Sequence, residues 1–236
     1  MAKHIGIVAC SAEGAALCYT TLCTEGTRAI GRKYAHPEVT LHSLPFDEYM
    51  RHIDGGDWDA VARMMLRSAV RLAEAGADFL ICPDNTIHQA YDRAAAGSPL
   101  PWLHIAREVA AEAARRGFRR LGVLGTRYLM EGPVYADALA AAGLGHCIPE
   151  PPARERIHAI IFDELVFGRL VDESRACLVS IIEQLAGHGC DAVVLGCTEI
   201  PLLVRPEDSP LPTLDSTRLL ARAALREALG RDQSEP

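Results

Sequence analysis

The chain has 236 residues, 49% of them apolar and 23% charged, a balance that excludes disordered and fibrous classes and fits one large or two small α/β domains. No apolar run approaches the roughly 18 residues that a bilayer crossing needs, and Lys3 and His4 lead straight into a strand-like stretch without a signal-peptide pattern, so a soluble cytoplasmic protein with no membrane partner is expected. The 24 Lys and Arg stand against 31 Asp and Glu; a formal charge of −7 and a pI near 5.7 argue against nucleic acid as a partner.

Short β-branched runs alternate with longer Ala/Leu/Arg/Glu-rich stretches of helical period, the pattern of β-α-β units around mainly parallel sheets. In chain order the pattern predicts strands at Ile5–Cys10 and Val39–Leu44, a helix at Trp58–Ala75, a strand at Phe79–Cys82, a helix at Ile105–Arg116 and a strand at Leu121–Gly125. Helices at Tyr128–Ala142, Ile157–Phe167 and Ser174–Gly187, a strand at Ala192–Gly196 and a helix at Ser216–Leu229 complete it. Gly76, Gly117, Gly143 and Gly187 each follow an apolar periodic stretch, where a residue at positive φ commonly ends a helix. The polar residues 230–236 are expected to fray.

The chain also echoes itself. Gly76-Ala77-Asp78-Phe79-Leu80-Ile81-Cys82-Pro83-Asp84-Asn85-Thr86 aligns without gaps on Gly189-Cys190-Asp191-Ala192-Val193-Val194-Leu195-Gly196-Cys197-Thr198-Glu199, and Ile5-Gly6-Ile7-Val8-Ala9 pairs with Leu121-Gly122-Val123-Leu124-Gly125. Two pseudo-symmetric Rossmann-like or flavodoxin-like domains follow, the first spanning 1–100 with 210–236 and the second 101–209. If a pseudo-twofold relates them, the carboxyl ends of matching strands face one interdomain cleft, and Asp84 confronts Cys197 there.

Eight cysteines are scattered without a C-x-x-C pair, which leaves zinc ribbons and thioredoxin-type redox motifs unwritten. G-x-G-x-x-G, Walker-type and H-E-x-x-H signatures are also missing, so neither a nucleotide cofactor nor a metal is expected. His42, His104 and His146 read as packing or capping residues, and Arg115, Arg116, Arg119 and Arg120 as a solvated helix end.

The tract Leu195-Gly196-Cys197-Thr198-Glu199-Ile200 resembles the second catalytic motif of the cofactor-independent aspartate/glutamate racemases, and Asn85-Thr86-Ile87-His88 the tail of their first, usually Cys-Asn-Thr-x-His. Leu124-Gly125-Thr126, Met130-Glu131-Gly132 with Tyr135, and Leu214-Asp215-Ser216-Thr217 extend the resemblance over essentially the whole chain. Two departures stand out. Asp84 occupies the place of the usual first cysteine, and Ala9-Cys10-Ser11 replaces a Gly-Met-Gly type turn. Cys82, two residues before Asp84, aligns with Leu195 in the echo and reads as a core thiol. The basic residue that grips a distal carboxylate in some members has no clear match near Val166 to Arg169, so the resemblance does not single out aspartate.

The resemblance implies a racemase or epimerase of a small amino acid or related carboxylate, using no metal or pyridoxal, with Cys197 and Asp84 exchanging protons with the two faces of the α-carbon. Helix N-terminal amides are expected to lower the pKa of Cys197, with Glu199 as acceptor or second base. Asp84 has three readings: an acid/base, a ligand for an ammonium or hydroxyl, or a cap for a helix beginning near Thr86. Ser11, Asn85, Thr86, Thr126 and Thr198 are candidate donors to the substrate carboxylate, and hydroxyls in turns equally often serve as caps. His88 either makes a local hydrogen bond or orients Asp84. A Cys197-dependent decarboxylase or other isomerase, and a non-catalytic binding relative, remain alternatives. Relatives commonly form homodimers, which the apolar helices permit.

Overall fold

A computed structural model describes residues 2–231. The chain runs through β1 (Ile5–Ala9), α1 (Ala12–Ile30), β2 (Val39–Ser43), α2 (Phe46–Asp54), α3 (Trp58–Glu74), β3 (Phe79–Ile81), a 3-10 turn at Thr86–Ala90 and α4 (Tyr91–Gly97). Then follow α5 (Ile105–Arg115), β4 (Arg120–Leu124), α6 (Arg127–Glu131), α7 (Pro133–Ala141), β5 (Gly145–Cys147), α8 (Pro151–Asp163), a 3-10 turn at Leu165–Phe167 and α9 (Asp172–Gly187). The last part holds β6 (Ala192–Leu195), α10 (Ile200–Leu203), a 3-10 turn at Pro206–Asp208, β7 (Thr213–Asp215) and α11 (Ser216–Leu229). Unit 1 comprises the described residues of Met1–Ile105 and Thr217–Pro236, and unit 2 is Ala106–Ser216. Among the described residues no helix is long and apolar enough to cross a membrane.

Each unit holds one parallel sheet, ordered β2-β1-β3 in unit 1 and β5-β4-β6-β7 in unit 2. The sequence echo is a structural one: Gly6 pairs with Leu80, and its counterpart Gly122 pairs with Val193, the counterpart of Leu80. Both strand glycines answer a steric need. A Cβ on Gly6 would lie 3.3 Å from Leu72 Cβ of α3, and one on Gly122 would lie 2.8 Å from Leu185 Cδ1 of α9, so a bare backbone lets each helix sit close on its sheet.

The repeated Gly-x-Asp also has a physical meaning. The Asp78 carboxylate accepts the His4 N–H at 2.7 Å while the Asp78 N–H donates to the His4 carbonyl at 2.8 Å. Asp191 likewise accepts from the N–H groups of Arg119 and Arg120 at 2.7 and 3.1 Å and donates to the Arg120 carbonyl at 2.9 Å. Each aspartate thus ties the entrance of one strand to that of its neighbour. Even the fourth strand has a trace in unit 1, where Leu80 forms an isolated parallel bridge with Trp102 as Val193 pairs with Thr213.

Unit 1 buries Ile5, Ile7, Phe79 and Ile81 of its sheet against Cys18 and Leu22 of α1 and Leu220, Ala224 and Leu225 of α11. Unit 2 buries Leu124, Val193 and Leu195 against Ile157, Ile160 and Ile161 of α8 and Leu178, Ile182 and Leu185 of α9.

Several expected boundaries move. The helix expected over Tyr128–Ala142 is two helices, because Gly132 is extended (φ −85°, ψ 172°) and Pro133 begins anew at a position that needs no N–H. The helix expected at Ile157–Phe167 starts earlier, behind Pro151, and ends at Asp163, the remainder tightening into a 3-10 turn closed by Gly168. Gly76, Gly117 and Gly143 take positive φ; after α9 that conformation falls on Gly189 rather than Gly187. Residues 210–216, expected with the first domain, run with unit 2 because β7 pairs with β6. The expected fraying of 230–236 lies, from Asp232 onward, outside the described residues.

Candidate active site

In unit 2, β4 and β6 are neighbours with Leu124 opposite Leu195, so Gly125-Thr126 and Gly196-Cys197 leave the sheet side by side at its carboxyl end. The Gly196 N–H donates to the Leu124 carbonyl at 2.7 Å. A Cβ on Gly196 would lie 2.8 Å from that carbonyl oxygen and 2.6 Å from Leu129 Cδ2, which makes glycine the residue that permits this exit. Cys197 follows, buried at 8% exposure. Its Sγ donates to Glu199 Oε2 at 2.9 Å, and Thr198 Oγ1 donates to the same oxygen at 2.6 Å. Thr198 and Glu199 are buried as well.

α10, which begins after Glu199, is a single turn of four residues, and the sulfur faces a carboxylate that can take up and return its proton. Behind the turn, the Tyr135 phenol hydrogen-bonds Ser216, and Ser216 Oγ donates to the Leu195 carbonyl at 3.0 Å. Burial pushes Tyr135 far above its ordinary pKa and keeps it a neutral brace. Thr126 caps α6, its Oγ1 accepting the Leu129 N–H at 3.2 Å.

In unit 1, Ile7 of β1 stands opposite Ile81 of β3, so Cys10-Ser11 and Cys82-Pro83-Asp84-Asn85-Thr86 leave the sheet as neighbours. Ser11 caps α1, its Oγ accepting the Gly14 N–H at 3.3 Å. Asp84 is partly exposed, and its Oδ1 accepts the Ile87 N–H at 3.3 Å, which holds the carboxyl at the head of the 3-10 turn. Asn85 and Thr86 are buried beside it.

His88 accepts the Ile105 N–H on Nε2 at 3.3 Å, which leaves the proton on Nδ1 to donate to the Asp84 carbonyl at 2.7 Å. It stacks on Tyr91 and meets His104 edge-on, with centroids 5.7 and 4.8 Å away. Its bond therefore fixes the main chain of Asp84. Cys82 is fully buried, and burial, helped by the nearby Asp84 charge, raises its pKa well above the thiol range, so it stays protonated as a core residue.

One residue near Asp84 escaped the sequence reading, and its neighbour Cys10 entered it only as part of a departing turn. Tyr49 of α2 is fully buried, its phenol pushed up by burial and by the proximity of Cys10, Cys82 and Asp84. Cys10 is itself buried, at the exit of β1. Cys10 could have been found as the residue that the echo aligns with Thr126, whereas Tyr49 carries no such signal in the sequence.

The expected site residues thus fall into two sets, each at the carboxyl end of a sheet: Ser11, Asp84, Asn85 and Thr86 in unit 1, and Thr126, Cys197, Thr198 and Glu199 in unit 2. Such strand ends are where open α/β sheets bind ligands. Among the described residues no group of three or more His, Cys, Asp or Glu side chains is arranged to hold a metal ion.

A family model described as Asp/Glu/hydantoin racemase matches residues 5–224. The broad specificity amino-acid racemase RacX of Bacillus subtilis (strain 168) is 24% identical over 191 residues, 80% of this chain and 81% of that one. Among solved structures, a candidate Asp/Glu racemase from Yersinia pestis is 32% identical with a TM-score of 0.88, covering 96% of this chain and 99% of its own. An aspartate racemase homologue from Pyrococcus horikoshii OT3 is 30% identical with a TM-score of 0.82 over the same shares.

Proposed function

The chain belongs to the Asp/Glu/hydantoin racemase family and is a cofactor-independent amino-acid racemase; on that premise we propose that Cys197 and Asp84 are its two acid–base groups, serving opposite faces of the substrate α-carbon. The observation that carries this reading is the 2.9 Å hydrogen bond from Cys197 Sγ to Glu199 at the end of β6. A thiol with an adjacent carboxylate can deliver a proton to a carbanion and, with the proton passed to Glu199, remove one in the reverse direction. Asp84 performs the complementary transfer. Its cap to Ile87 is compatible with that role, because a fixed side chain is a prerequisite for proton transfer at a defined face.

Removing an α-proton places negative charge on the substrate carboxylate, so donors around that carboxylate stabilise the intermediate. Asn85, Thr86, Thr126, Thr198 and Ser11 supply the amide and hydroxyl groups in this proposal. The substrate is a small amino acid, and broad side-chain tolerance, as the name of the RacX relative states for that protein, fits the missing match for a distal-carboxylate grip. We further place the enzyme in the cytoplasm as a homodimer.

The test is proton NMR in D2O with single-enantiomer amino acids, on wild type, Cys197→Ser and Asp84→Asn. Exchange of the α-proton together with the opposite enantiomer in wild type, and a loss of roughly 10²- to 10⁴-fold in both variants, is the expected result. Exchange without inversion that survives in Asp84→Asn would reduce Asp84 to a cap. Full turnover in Cys197→Ser would overturn the assignment.

A further inference from the structure

The Gly125-Thr126 turn of unit 2, where β4 gives way to α6, is held at both ends. At its entrance the Leu124 carbonyl accepts the Gly196 N–H at 2.7 Å, and a Cβ on Gly125 would lie 3.1 Å from the Gly196 carbonyl oxygen, so the turn lies against the residue that precedes Cys197. At its exit the peptide joining Thr126 to Arg127 is bonded on both edges. The Thr126 carbonyl accepts the Leu129 and Met130 N–H groups, each at 3.0 Å, and the Arg127 N–H donates at 3.3 Å to Nδ1 of His158 on α8. The carbonyl bonds are internal to the turn, whereas the bond to His158 reaches another helix.

α6 has five residues, and a helix of that length does not hold its own first turn. In unit 1 the matching turn, Cys10-Ser11, opens the 19-residue α1, whose Cys18 and Leu22 anchor it in the core. α6 is tied down by α8 instead. Two ion pairs join these helices, Arg127–Glu155 and Arg154–Glu131, but both are 3.5 Å long and both carboxylates are exposed, so they do little to set an orientation. His158 is better placed. Half-buried, its ring meets Tyr128 edge-on with centroids 5.4 Å apart and leans on Phe162 at 4.7 Å, so the ring plane, and with it the direction of the Nδ1 lone pair, is set by packing. Accepting a backbone N–H requires that lone pair, which a neutral imidazole with its proton on Nε2 provides.

We propose that His158 is a positioning residue for the racemase reaction, fixing through the Arg127 N–H the angle at which the Thr126 hydroxyl meets the substrate carboxylate; this rests on the reading of Thr126 as a donor to that carboxylate. Thr126 Oγ1 accepts the Leu129 N–H, and a hydroxyl that accepts on one lone pair can donate its own proton in another direction. Turning the Thr126–Arg127 peptide re-aims that donor, and the His158 bond is what resists the turn from outside. No atom of His158 needs to touch the substrate. Because negative charge on the carboxylate grows as the α-proton leaves, a misaimed donor costs more in the intermediate than in the bound substrate, and the loss falls on kcat rather than KM.

The experiment compares His158→Phe, His158→Asn, Thr126→Ala and the double variant His158→Phe/Thr126→Ala in the full-length protein, with kcat and KM on the amino acid that wild type racemises fastest and the thermal midpoint by circular dichroism. His158→Phe keeps a ring against Tyr128 and Phe162 but has no acceptor; His158→Asn gives up the ring and keeps an acceptor, Oδ1, close to the place of Nδ1. The expected result is a kcat about tenfold lower in His158→Phe with KM within about threefold, and recovery of most of that loss in His158→Asn even where its midpoint falls. Thr126→Ala should lose at least as much, and the double variant little more, because the group through which His158 acts is already gone. An active His158→Phe beside an impaired His158→Asn would make His158 a packing residue and overturn the proposal, as would losses that multiply in full in the double variant. Full activity of Thr126→Ala would instead remove the carboxylate role of Thr126, and the proposal with it.

Discussion

Glu199 receives two donors on one oxygen, the Cys197 thiol and the Thr198 hydroxyl, in a buried turn. Replacing that carboxylate with an amide keeps the shape but removes the group proposed to take the thiol proton. Glu199→Gln should lower kcat about 100-fold with KM within a few-fold, and alter the pH profile of kcat, measured by polarimetry. Gly196→Ala acts through geometry instead: the added methyl meets backbone at 2.8 Å, and overpacking of this kind costs about 1–3 kcal/mol. Denaturant unfolding should show that loss, and activity should fall further because Cys197 is the next residue. The adjacency of Cys197, Thr198 and Glu199 could be read in the sequence because the motif is local. The direction of the thiol's hydrogen bond could not, since it depends on how short α10 is and on side-chain rotamers. Tyr49 reaches the neighbourhood of Asp84 from 35 positions away, by the packing of α2, which no periodicity announces.

At the level of elements, the paired Gly-x-Asp segments hold the strand entrances together, so their loss should be felt twice over. Asp191→Ala strands the N–H groups of Arg119 and Arg120, and a charged acceptor of this type contributes about 1.5–3 kcal/mol, less in proportion to its solvent access. Asp78→Ala should cost a similar amount, because His4 and Asp78 repeat the arrangement; urea unfolding of both variants checks the equivalence. The long β-α-β alternation was readable because five strands and most helices carry a clean period. β5 and β7 were missed because, unlike the equally short but wholly buried β3, Gly145-His146-Cys147 and Thr213-Leu214-Asp215 are mostly polar and only partly buried. α1 escaped for a different reason: it buries Gly14, Ala15, Cys18, Thr21, Leu22 and Gly26, a stripe of mostly small residues that lacks the weight of a normal apolar face. The single helix expected over Tyr128–Ala142 failed at Gly132-Pro133, a dipeptide whose breaking power outweighs the apolar run around it.

The molecule as a whole is two copies of one plan, and the repeat was visible in the sequence because the same contacts demand the same residues: a glycine under a leucine, an aspartate at a strand entrance. The copies differ in how the chain completes them. Unit 2 is one continuous segment, whereas unit 1 is closed by α11, whose Leu220, Ala224 and Leu225 share a cluster with Ile5, Ile7 and Phe79. A chain ending at Ser216 should therefore leave the unit 1 sheet without one of its covering helices; we expect it to aggregate or to bind a hydrophobic dye, while the segment Ala106–Ser216 keeps a cooperative unfolding transition by circular dichroism.

That closure also sets an order of birth. A ribosome delivers residues at about 5–20 per second, so the strands made first wait on the order of ten seconds for the helix that covers them, while the later-made sheet can already be finished. The amino-terminal half is the last to mature, and during synthesis its bare apolar face is where a chaperone would be needed.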